Sequence, residues 1–360
     1  MSEQILQTIK PAVQKLRAYS LSPHRASVKI NQNENPWDVT ENVKTETLRR
    51  LGARRWSRYP EFVATSLQES LAEFASWTAD GVIAGNGSNE LIQSLLMVIV
   101  NEAKCVLISE PTFALYRQVT TVLGGEVVSV PLKATFEFDV TALTEAIQDS
   151  EPEVVILCSP NNPTGLLIED ADVIQLLKTA PGLVVIDEAY HEFAGHSVVP
   201  LLKDFPNLVV LRTFSKAMGL AGMRIGYLLA APELVTEIRK AVLPYNLNVF
   251  SQTVAEVAIE MYAAELQPLV KRIVAERERL FAELSVIEGL QPVASRANFM
   301  IVRTAIEPRQ LFNELLARDI LVRDVSGYPM LKDYFRFNVG TSEENDRLIQ
   351  ALKEIMRCER

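Results

Sequence analysis

A lysine between a small hydroxyl residue and a glycine-rich segment carries the most informative chemistry in this sequence. Lys216 follows Ser215 directly, beyond the apolar run at residues 208–211, and Arg224 comes eight residues later. A lysine amine that has lost its proton can form a Schiff base with an aldehyde cofactor. Ser215 and Arg224 can hold a phosphate, the arginine through a bidentate pair. The segment predicts a cofactor lysine, although a solvated surface lysine is the alternative if this segment is taken alone.

A second candidate phosphate site lies at residues 85–90, where Gly87, Ser88 and Asn89 precede an apolar helix pattern at 91–100. Glycines let backbone N–H groups approach an anion, and a helix N-terminus favours negative charge. Glu90 stands where the third glycine of a dinucleotide-binding motif would be. We therefore predict a phosphate site that is not of the dinucleotide type; a plain glycine turn with Ser88 as the helix cap is the alternative.

Two turns after apolar runs carry an amide and aromatic side chains. Phe113 and Tyr116 follow the run at 105–108, and could stack on a flat heterocycle or simply pack in the core. The run Pro-Asn-Asn-Pro-Thr-Gly at residues 160–165 follows the strand-like stretch 154–157. Its prolines and glycine fix a tight turn, so Asn162 is expected to present its amide rigidly.

An acidic residue and a tyrosine follow the next apolar run, at residues 183–186. Asp187 stands at the end of that run, where an unpaired buried carboxylate is unfavourable. A protonated pyridine nitrogen is a natural partner, and this pairing keeps such a ring an electron sink. Tyr190 and Asn162 can both hydrogen-bond a phenolic oxygen on the same ring.

The elements that position these residues alternate between short apolar runs and helix-like segments. Seven such runs are rich in β-branched residues and apolar on both faces, which predicts an α/β fold with a large doubly wound, mainly parallel sheet. In open sheets of this kind, ligands bind at the carboxyl ends of the strands. We predict an N-terminal arm over residues 1–40, a large domain over 41–265 and a small α+β domain over 266–360. A nearly continuous helix over 251–284 is expected to link the two.

Composition narrows the class of protein. The 360 residues are 48% apolar and 22% charged, with a formal net charge of −9, which argues against nucleic-acid and anionic-membrane partners. No apolar run reaches the ~20 residues needed to span a bilayer, and no secretory signal is visible, so we expect a cytoplasmic protein. The three cysteines read as free thiols of a reducing compartment. The three histidines lack the spacing of metal ligands, and no metal is expected.

Taken together, these residues resemble the pyridoxal-phosphate (PLP) aminotransferases of fold type I, and most closely the histidinol-phosphate aminotransferase family. The order and context of Asn162, Asp187, Tyr190, Lys216 and Arg224 match, and the resemblance covers nearly the whole chain. The local matches to that family are the segment 29–36, which ends in Asn-Glu-Asn-Pro, the Arg-Tyr-Pro run at 58–60, and the segments 110–116 and 335–341.

The resemblance implies a role for each site residue. Lys216 forms the Schiff base with the cofactor, Asp187 pairs with the pyridine nitrogen, Tyr190 and Asn162 hold the phenolic oxygen, and Tyr116 stacks on the ring. The cofactor phosphate is held by the backbone around Gly87, Ser88 and Asn89, and by Thr213, Ser215 and Arg224. Tyr59 reaches the phosphate of a neighbouring subunit, which implies a homodimer. The substrate is bound by Arg336, Arg323 and Tyr19, with Asn35 nearby.

The expected reaction is amino-group exchange between L-histidinol phosphate and 2-oxoglutarate, which gives imidazole acetol phosphate and L-glutamate in histidine biosynthesis. The lysine motif departs from the family pattern at Phe214 and Met218 by apolar exchanges, and residues 323–332 match poorly. Three alternatives stay open on the same scaffold: a transferase for aromatic amino acids, a PLP-dependent decarboxylase of a phosphorylated amino acid, and a non-enzymatic PLP-binding protein.

Overall fold

The computed structural model of the protein describes residues 3–16 and 24–358. The predicted substrate residue Tyr19 therefore lies outside the described residues. The strands are β1 Val28–Lys29, β2 Val82–Gly85, β3 Cys105–Glu110, β4 Glu126–Pro131, β5 Val154–Cys158, β6 Leu183–Asp187, β7 Leu208–Thr213, β8 Gly226–Ala230, β9 Leu290–Pro292, β10 Phe299–Thr304, β11 Ile320–Leu321, β12 Arg323–Asp324 and β13 Tyr334–Asn338.

The helices lie between these strands and at the ends of the described chain. They are α1 Glu3–Leu6, α2 Pro11–Lys15, α3 Glu41–Gly52, α4 Thr65–Ala75, α5 Ser88–Met97, α6 Leu115–Leu123, α7 Val140–Ser150, α8 Asp170–Thr179, α9 His191–Ala194, α10 Pro232–Ile238, α11 Val249–Glu260, α12 Gln267–Ser285, α13 Pro308–Ala317 and α14 Ser342–Cys358. No helix within the described residues is both long enough and apolar enough to cross a membrane.

Seven strands form the large sheet in the order β2-β8-β7-β6-β5-β3-β4. Strands β3 to β7 are parallel to one another, whereas β8 is antiparallel to its two neighbours, β2 and β7. Both faces are buried: Val154 and Ile156 of β5 pack in one hydrophobic cluster, and Val155 and Leu157 pack in the other. This agrees with the apolar character of the runs on both faces and confirms the predicted mainly parallel sheet.

A second, antiparallel sheet lies toward the C-terminus, in the order β12-β13-β10-β9. Helices α12 and α14 contact each other and bury apolar residues in the same cluster as β10 and β13. The short strand β1 pairs in parallel with β11, and the Asn338 N–H of β13 donates to the Ile30 carbonyl at 2.9 Å, so residues 28–30 lie against the small sheet.

The segment predicted as a nearly continuous helix over residues 251–284 is helical, with one interruption. Helix α11 ends at Glu260, the five residues Tyr262–Leu266 form a π-helical turn, and α12 begins at Gln267. Pro268 lies in the first turn of α12. Proline lacks an N–H group and its ring clashes with the carbonyl four residues earlier, so a regular α-helix cannot run through this point.

Candidate active site

The carboxyl ends of β5, β6 and β7 open into a cavity of about 400 Å³ that also reaches the small sheet. Cys158, Asp187 and Thr213, the last residues of these three strands, all line the cavity. The predicted site residues among its lining are Ser88, Asn89, Tyr116, Asn162, Asp187, Tyr190, Thr213, Ser215, Lys216, Arg224, Arg323 and Arg336. Residues far apart in the sequence therefore meet in one place, at the edge of the sheet where ligands are expected.

Three predicted residues that the structure describes, Gly87, Asn35 and Tyr59, do not line this cavity. Asn35 donates its amide to the carbonyl of Ala217 at 3.2 Å and accepts from the Trp37 N–H at 3.0 Å, so it holds the chain next to the lysine turn. Tyr59 is 80% exposed and stacks on Tyr245, with ring centroids 4.5 Å apart. Neither geometry brings the side chain to the cavity of its own chain.

Lys216 lies in a turn just beyond β7, and its Nζ donates to the carbonyl oxygen of Gln32 at 3.1 Å. Burial, together with the positive charges of Arg336 and Arg224, lowers the pKa of this amine from 10.5 to about 8. A larger fraction of the amine is therefore neutral near pH 7 than for an exposed lysine. This is the protonation state that a nucleophile or general base requires.

Asp187 is buried at the end of β6, with its carboxylate held on two sides. The Tyr116 hydroxyl donates to Oδ2 at 2.7 Å, and the Ala189 N–H donates to Oδ1 at 3.1 Å. Burial raises the pKa of Asp187 from 3.8 to about 6, while the Tyr116 hydrogen bond opposes that shift. No ion pair to Asp187 exists within the described part of the chain. A buried carboxylate that faces the cavity without an ion-pair partner suits a positively charged ligand group.

The two aromatic residues after β3, Phe113 and Tyr116, make different contacts. Tyr116 is fully buried and commits its hydroxyl to Asp187, whereas Phe113 is partly exposed and also lines the cavity. The two rings pack edge to face, with centroids 5.6 Å apart. Both rings were predicted as candidates for stacking on a flat heterocycle, whereas the hydrogen bond from Tyr116 to Asp187 was not predicted.

An anion site lies between the start of α5 and Arg224. Gly87 has a φ of +81°, and a Cβ there would lie 2.6 Å from Nη2 of Arg224, so only glycine leaves room for the guanidinium. Gly226 similarly lets the Ser88 N–H approach, since a Cβ would lie 2.3 Å from that nitrogen. Nη1 of Arg224 is 3.4 Å from the Ser215 hydroxyl. Helix N–H groups, hydroxyls and a guanidinium therefore converge, as phosphate recognition requires.

Two arginines of the small sheet form a second positively charged region of the cavity. The antiparallel register places Arg323 of β12 opposite Arg336 of β13. Arg336 donates to Oδ1 of Asn162, and its Nη2 is 3.3 Å from the carbonyl oxygen of Asn31. Like charges directly opposite each other in a sheet are destabilising, so this pair is better suited to an anion between them than to an empty surface.

Several lining residues were not predicted as site residues, among them Gln32, Asn33 and Tyr328. Gln32 and Asn33 belong to the segment 29–36 that carried the family resemblance, from which only Asn35 was assigned to the site. Gln32 contributes its backbone carbonyl, and a backbone contact leaves no trace in residue type. Tyr328 follows β12 in the poorly matched segment 323–332, where no pattern pointed to it.

Comparison with known proteins shows what this chain is similar to. Residues 26–352 match the family described as aminotransferase class I and II. The chain is 38% identical to histidinol-phosphate aminotransferase of Chlorobium phaeovibrioides, over 99% of each chain. It is 39% identical to the enzyme of the same name from Chlorobium phaeobacteroides, over 98% of each. The structure of histidinol-phosphate aminotransferase from Sinorhizobium meliloti in complex with pyridoxal 5'-phosphate superposes with a TM-score of 0.88, at 24% identity and 98% coverage of both chains, and this similarity shows the fold.

Proposed function

The chain belongs to the histidinol-phosphate aminotransferase family of the class I and II aminotransferases, and from this premise we propose that it transfers an amino group between L-histidinol phosphate and 2-oxoglutarate. The products are imidazole acetol phosphate and L-glutamate. The observation that carries the proposal is the convergence in one cavity of a lysine with a lowered pKa, an unpaired buried carboxylate and two separate groups of anion-binding residues.

The cofactor is pyridoxal 5'-phosphate, and the residues present fit it. The cofactor phosphate would be held where Gly87 and Gly226 leave room for the Arg224 guanidinium and the Ser88 N–H. The residues that would hold it are Ser88, Asn89, Thr213, Ser215 and Arg224. Asp187, which lacks an ion-pair partner among the described residues, would hold the ring nitrogen in its protonated state. Tyr190 and Asn162 would hold the phenolic oxygen. When bound, the cofactor supplies an electron sink for the carbanion that forms at the substrate carbon.

Lys216 acts as the base that takes the proton from the substrate carbon. Its amine is neutral often enough near pH 7 to accept a proton, and its cationic form is destabilised by burial and by the arginines around it. The contact with the Gln32 carbonyl orients the amine in the cavity.

The lowered pKa of Lys216 predicts how cofactor capture depends on pH. Only the neutral amine attacks an aldehyde, so the rate at which cofactor-free protein captures pyridoxal 5'-phosphate should rise with pH through a midpoint near 8. An exposed lysine would give a midpoint above pH 10. Stopped-flow absorbance measures the capture rate at each pH from about 6 to about 10.5, a range that covers both expected midpoints. A rate still climbing at the upper end, without a midpoint near 8, would contradict the buried environment described for the amine.

Arg336 and Arg323 are proposed to bind the anionic groups of both substrates. Guanidinium pairs with a phosphate of L-histidinol phosphate in one half-reaction and with a carboxylate of 2-oxoglutarate in the other. Arg336 is nearly buried, so the site is partly desolvated before the substrate arrives.

Replacement of Arg336 by alanine is expected to raise KM for both substrates together, by about 10-fold or more, because one guanidinium serves both half-reactions. Steady-state kinetics with each substrate varied in turn measures the effect. Arg303→Ala, a change at an exposed arginine of β10 that points away from the cavity lining, is the matched control. A rise in KM for one substrate alone would show that the anion site is not shared.

The alternatives differ in the substrate and in the bond that breaks. Both sequence relatives are histidinol-phosphate aminotransferases, which favours the phosphorylated imidazole substrate over aromatic amino acids and over decarboxylation. Incubation with 2-oxoglutarate and each candidate amine tests this directly. We expect L-glutamate to form with L-histidinol phosphate far faster than with phenylalanine, and no carbon dioxide to be released from O-phosphothreonine. Preference for phenylalanine, or release of carbon dioxide, would overturn the proposed substrate.

We further propose that the protein is a homodimer in the cytoplasm. Tyr59, Trp56, Phe62 and Leu243 are each more than 60% exposed, and Phe62 packs on Tyr245 beside Tyr59. An exposed aromatic cluster of this kind suits burial against a second copy, to whose site Tyr59 would then contribute. The free cysteines are compatible with a reducing compartment.

Subunit complementation tests the shared site. Lys216→Ala and Tyr59→Ala chains should each be impaired alone, but a mixed dimer contains one site with an intact lysine and an intact tyrosine. Co-expression should therefore restore about a quarter of the wild-type activity, since random pairing makes half of the dimers mixed with one good site each. Sedimentation should show a dimer. A monomer, or no recovery in mixed dimers, would refute the arrangement.

A further inference from the structure

Asn33 is fixed to the small sheet through its backbone. Its N–H donates to Oδ1 of Asn338 on β13 at 3.1 Å, and its carbonyl accepts from Nδ2 of Asn298, just before β10, at 3.1 Å. Its φ is +55°, a left-handed conformation that asparagine adopts more readily than most other residues. The residue is only 2% exposed. The backbone of Asn33 therefore has one defined place, set by two asparagines of the small sheet.

The side chain of Asn33 reaches the other half of the site. Its Nδ2 donates to the hydroxyl oxygen of Tyr190 at 3.0 Å. Burial raises the pKa of Tyr190, so the hydroxyl keeps its proton at neutral pH. Among the described residues, the Tyr190 hydroxyl donates to no acceptor, although it accepts from Asn33. With one lone pair occupied by the amide, the O–H bond is left to point toward an acceptor in the cavity.

The orientation of the amide follows from the cost of the alternative. As placed, Oδ1 of Asn33 has no hydrogen-bond partner, which leaves one buried acceptor unsatisfied. The reverse orientation would place Oδ1 against the Tyr190 hydroxyl and would turn both N–H groups toward the position where Oδ1 now has no hydrogen-bond partner. Buried N–H groups without an acceptor are rarer in folded proteins than under-satisfied carbonyl oxygens, so the orientation in which the amide donates to Tyr190 is favoured.

We propose that Asn33 is a positioning residue for the reaction: it directs the Tyr190 hydroxyl proton into the cavity, toward the phenolic oxygen of the cofactor. This rests on the proposed function, in which Tyr190 holds that oxygen. Because the backbone of Asn33 is bound to the small sheet, the same contact ties the hydrogen bond at the cofactor to the placement of that sheet, which also carries Arg336.

The test uses the absorbance of the cofactor-loaded protein as a function of pH rather than its turnover. A hydrogen bond to the phenolic oxygen stabilises its negative charge, so loss of that bond moves the spectral midpoint to higher pH. Asn33→Gly removes the amide yet adopts the left-handed backbone without strain. We expect the spectral midpoint of Asn33→Gly to rise by about half a pH unit. The rise should be smaller than in Tyr190→Phe, where the hydroxyl itself is lost.

The double variant Asn33→Gly/Tyr190→Phe is the matched control. If Asn33 acts through the hydroxyl, the double variant should have the midpoint of Tyr190→Phe alone. Additive shifts, or no shift in Asn33→Gly, would overturn the proposal. Should the glycine variant fail to fold, Asn33→Asp keeps the shape and accepts the Tyr190 proton; its shift must then be smaller in the Tyr190→Phe background, and an equal shift would overturn the proposal. A wild-type protein that shows no cofactor band would instead refute the proposed function.

Discussion

Replacement of Lys216 by alanine is expected to lower turnover by about 10⁴-fold or more, because the same amine binds the cofactor and moves the proton. Burial and nearby cations lower the pKa of Lys216 to about 8, and the Gln32 carbonyl orients it. The measurement is the rate of L-glutamate formation, together with the visible absorbance of the lysine-bound cofactor. We expect both to be lost.

A second lysine provides the comparison. Lys203→Ala makes the same change in charge at an exposed position of the surface, and should leave both turnover and absorbance as they are. Lys216→Arg keeps a positive charge in the cavity but offers no amine that loses its proton near neutral pH, so it should be as inactive as the alanine variant. Substantial turnover in either Lys216 variant would show that another group moves the proton.

Replacement of Asp187 by asparagine is expected to lower turnover by more than about 100-fold while the fold is kept. The carboxylate is the only charged group at the end of β6 that faces the cavity, and an amide of the same shape cannot hold a ring nitrogen in its protonated state. Tyr116→Phe removes one hydrogen bond to the carboxylate but keeps its charge, and we expect a smaller loss.

The melting temperature of the cofactor-free protein shows whether Asp187→Asn lowers turnover through the chemistry or through a loss of folded protein. The pKa of Asp187 is raised from 3.8 to about 6, so ionisation of this group is less favourable in the folded chain than in the unfolded one. The resulting loss in the free energy of unfolding is absent below pH 3.8, grows as the pH rises, and is fully present above about pH 6. At pH 7, Asp187→Asn removes it, and the melting temperature should stay level or rise. A lower melting temperature with unchanged turnover would mark Asp187 as a structural charge only.

The framework of the site could be predicted from sequence because each part depends on local pattern. Seven apolar runs give seven strands, and the polar residues that follow a parallel strand must lie at the same edge of the sheet. This places Asn162, Asp187 and Lys216 near each other without any knowledge of tertiary contacts. The lysine and glycine motifs added the chemistry.

What could not be predicted depends on contacts between distant segments. The Gln32 carbonyl that orients Lys216 is 184 residues away in sequence and acts through its backbone. Asn33 and Asn35 stand two residues apart in the same motif, but the left-handed backbone at Asn33 sends one amide to Tyr190 and the other to the lysine turn. Pro268 is a sequence signal for the helix interruption at Tyr262–Leu266. The periodic spacing of apolar and charged residues on either side nevertheless favoured a nearly continuous helix in the prediction.

The half-reaction with L-histidinol phosphate alone tests the central claim most directly. Cofactor-loaded protein is titrated with this amine in the absence of 2-oxoglutarate, and the absorbance of the lysine-bound cofactor is followed, with phenylalanine and O-phosphothreonine as comparison amines. We expect L-histidinol phosphate at low concentration to convert the cofactor stoichiometrically to its amino form, and 2-oxoglutarate to reverse that conversion. A cofactor band that forms but does not respond to L-histidinol phosphate would contradict the proposed substrate, and the absence of any band would contradict the role of Lys216.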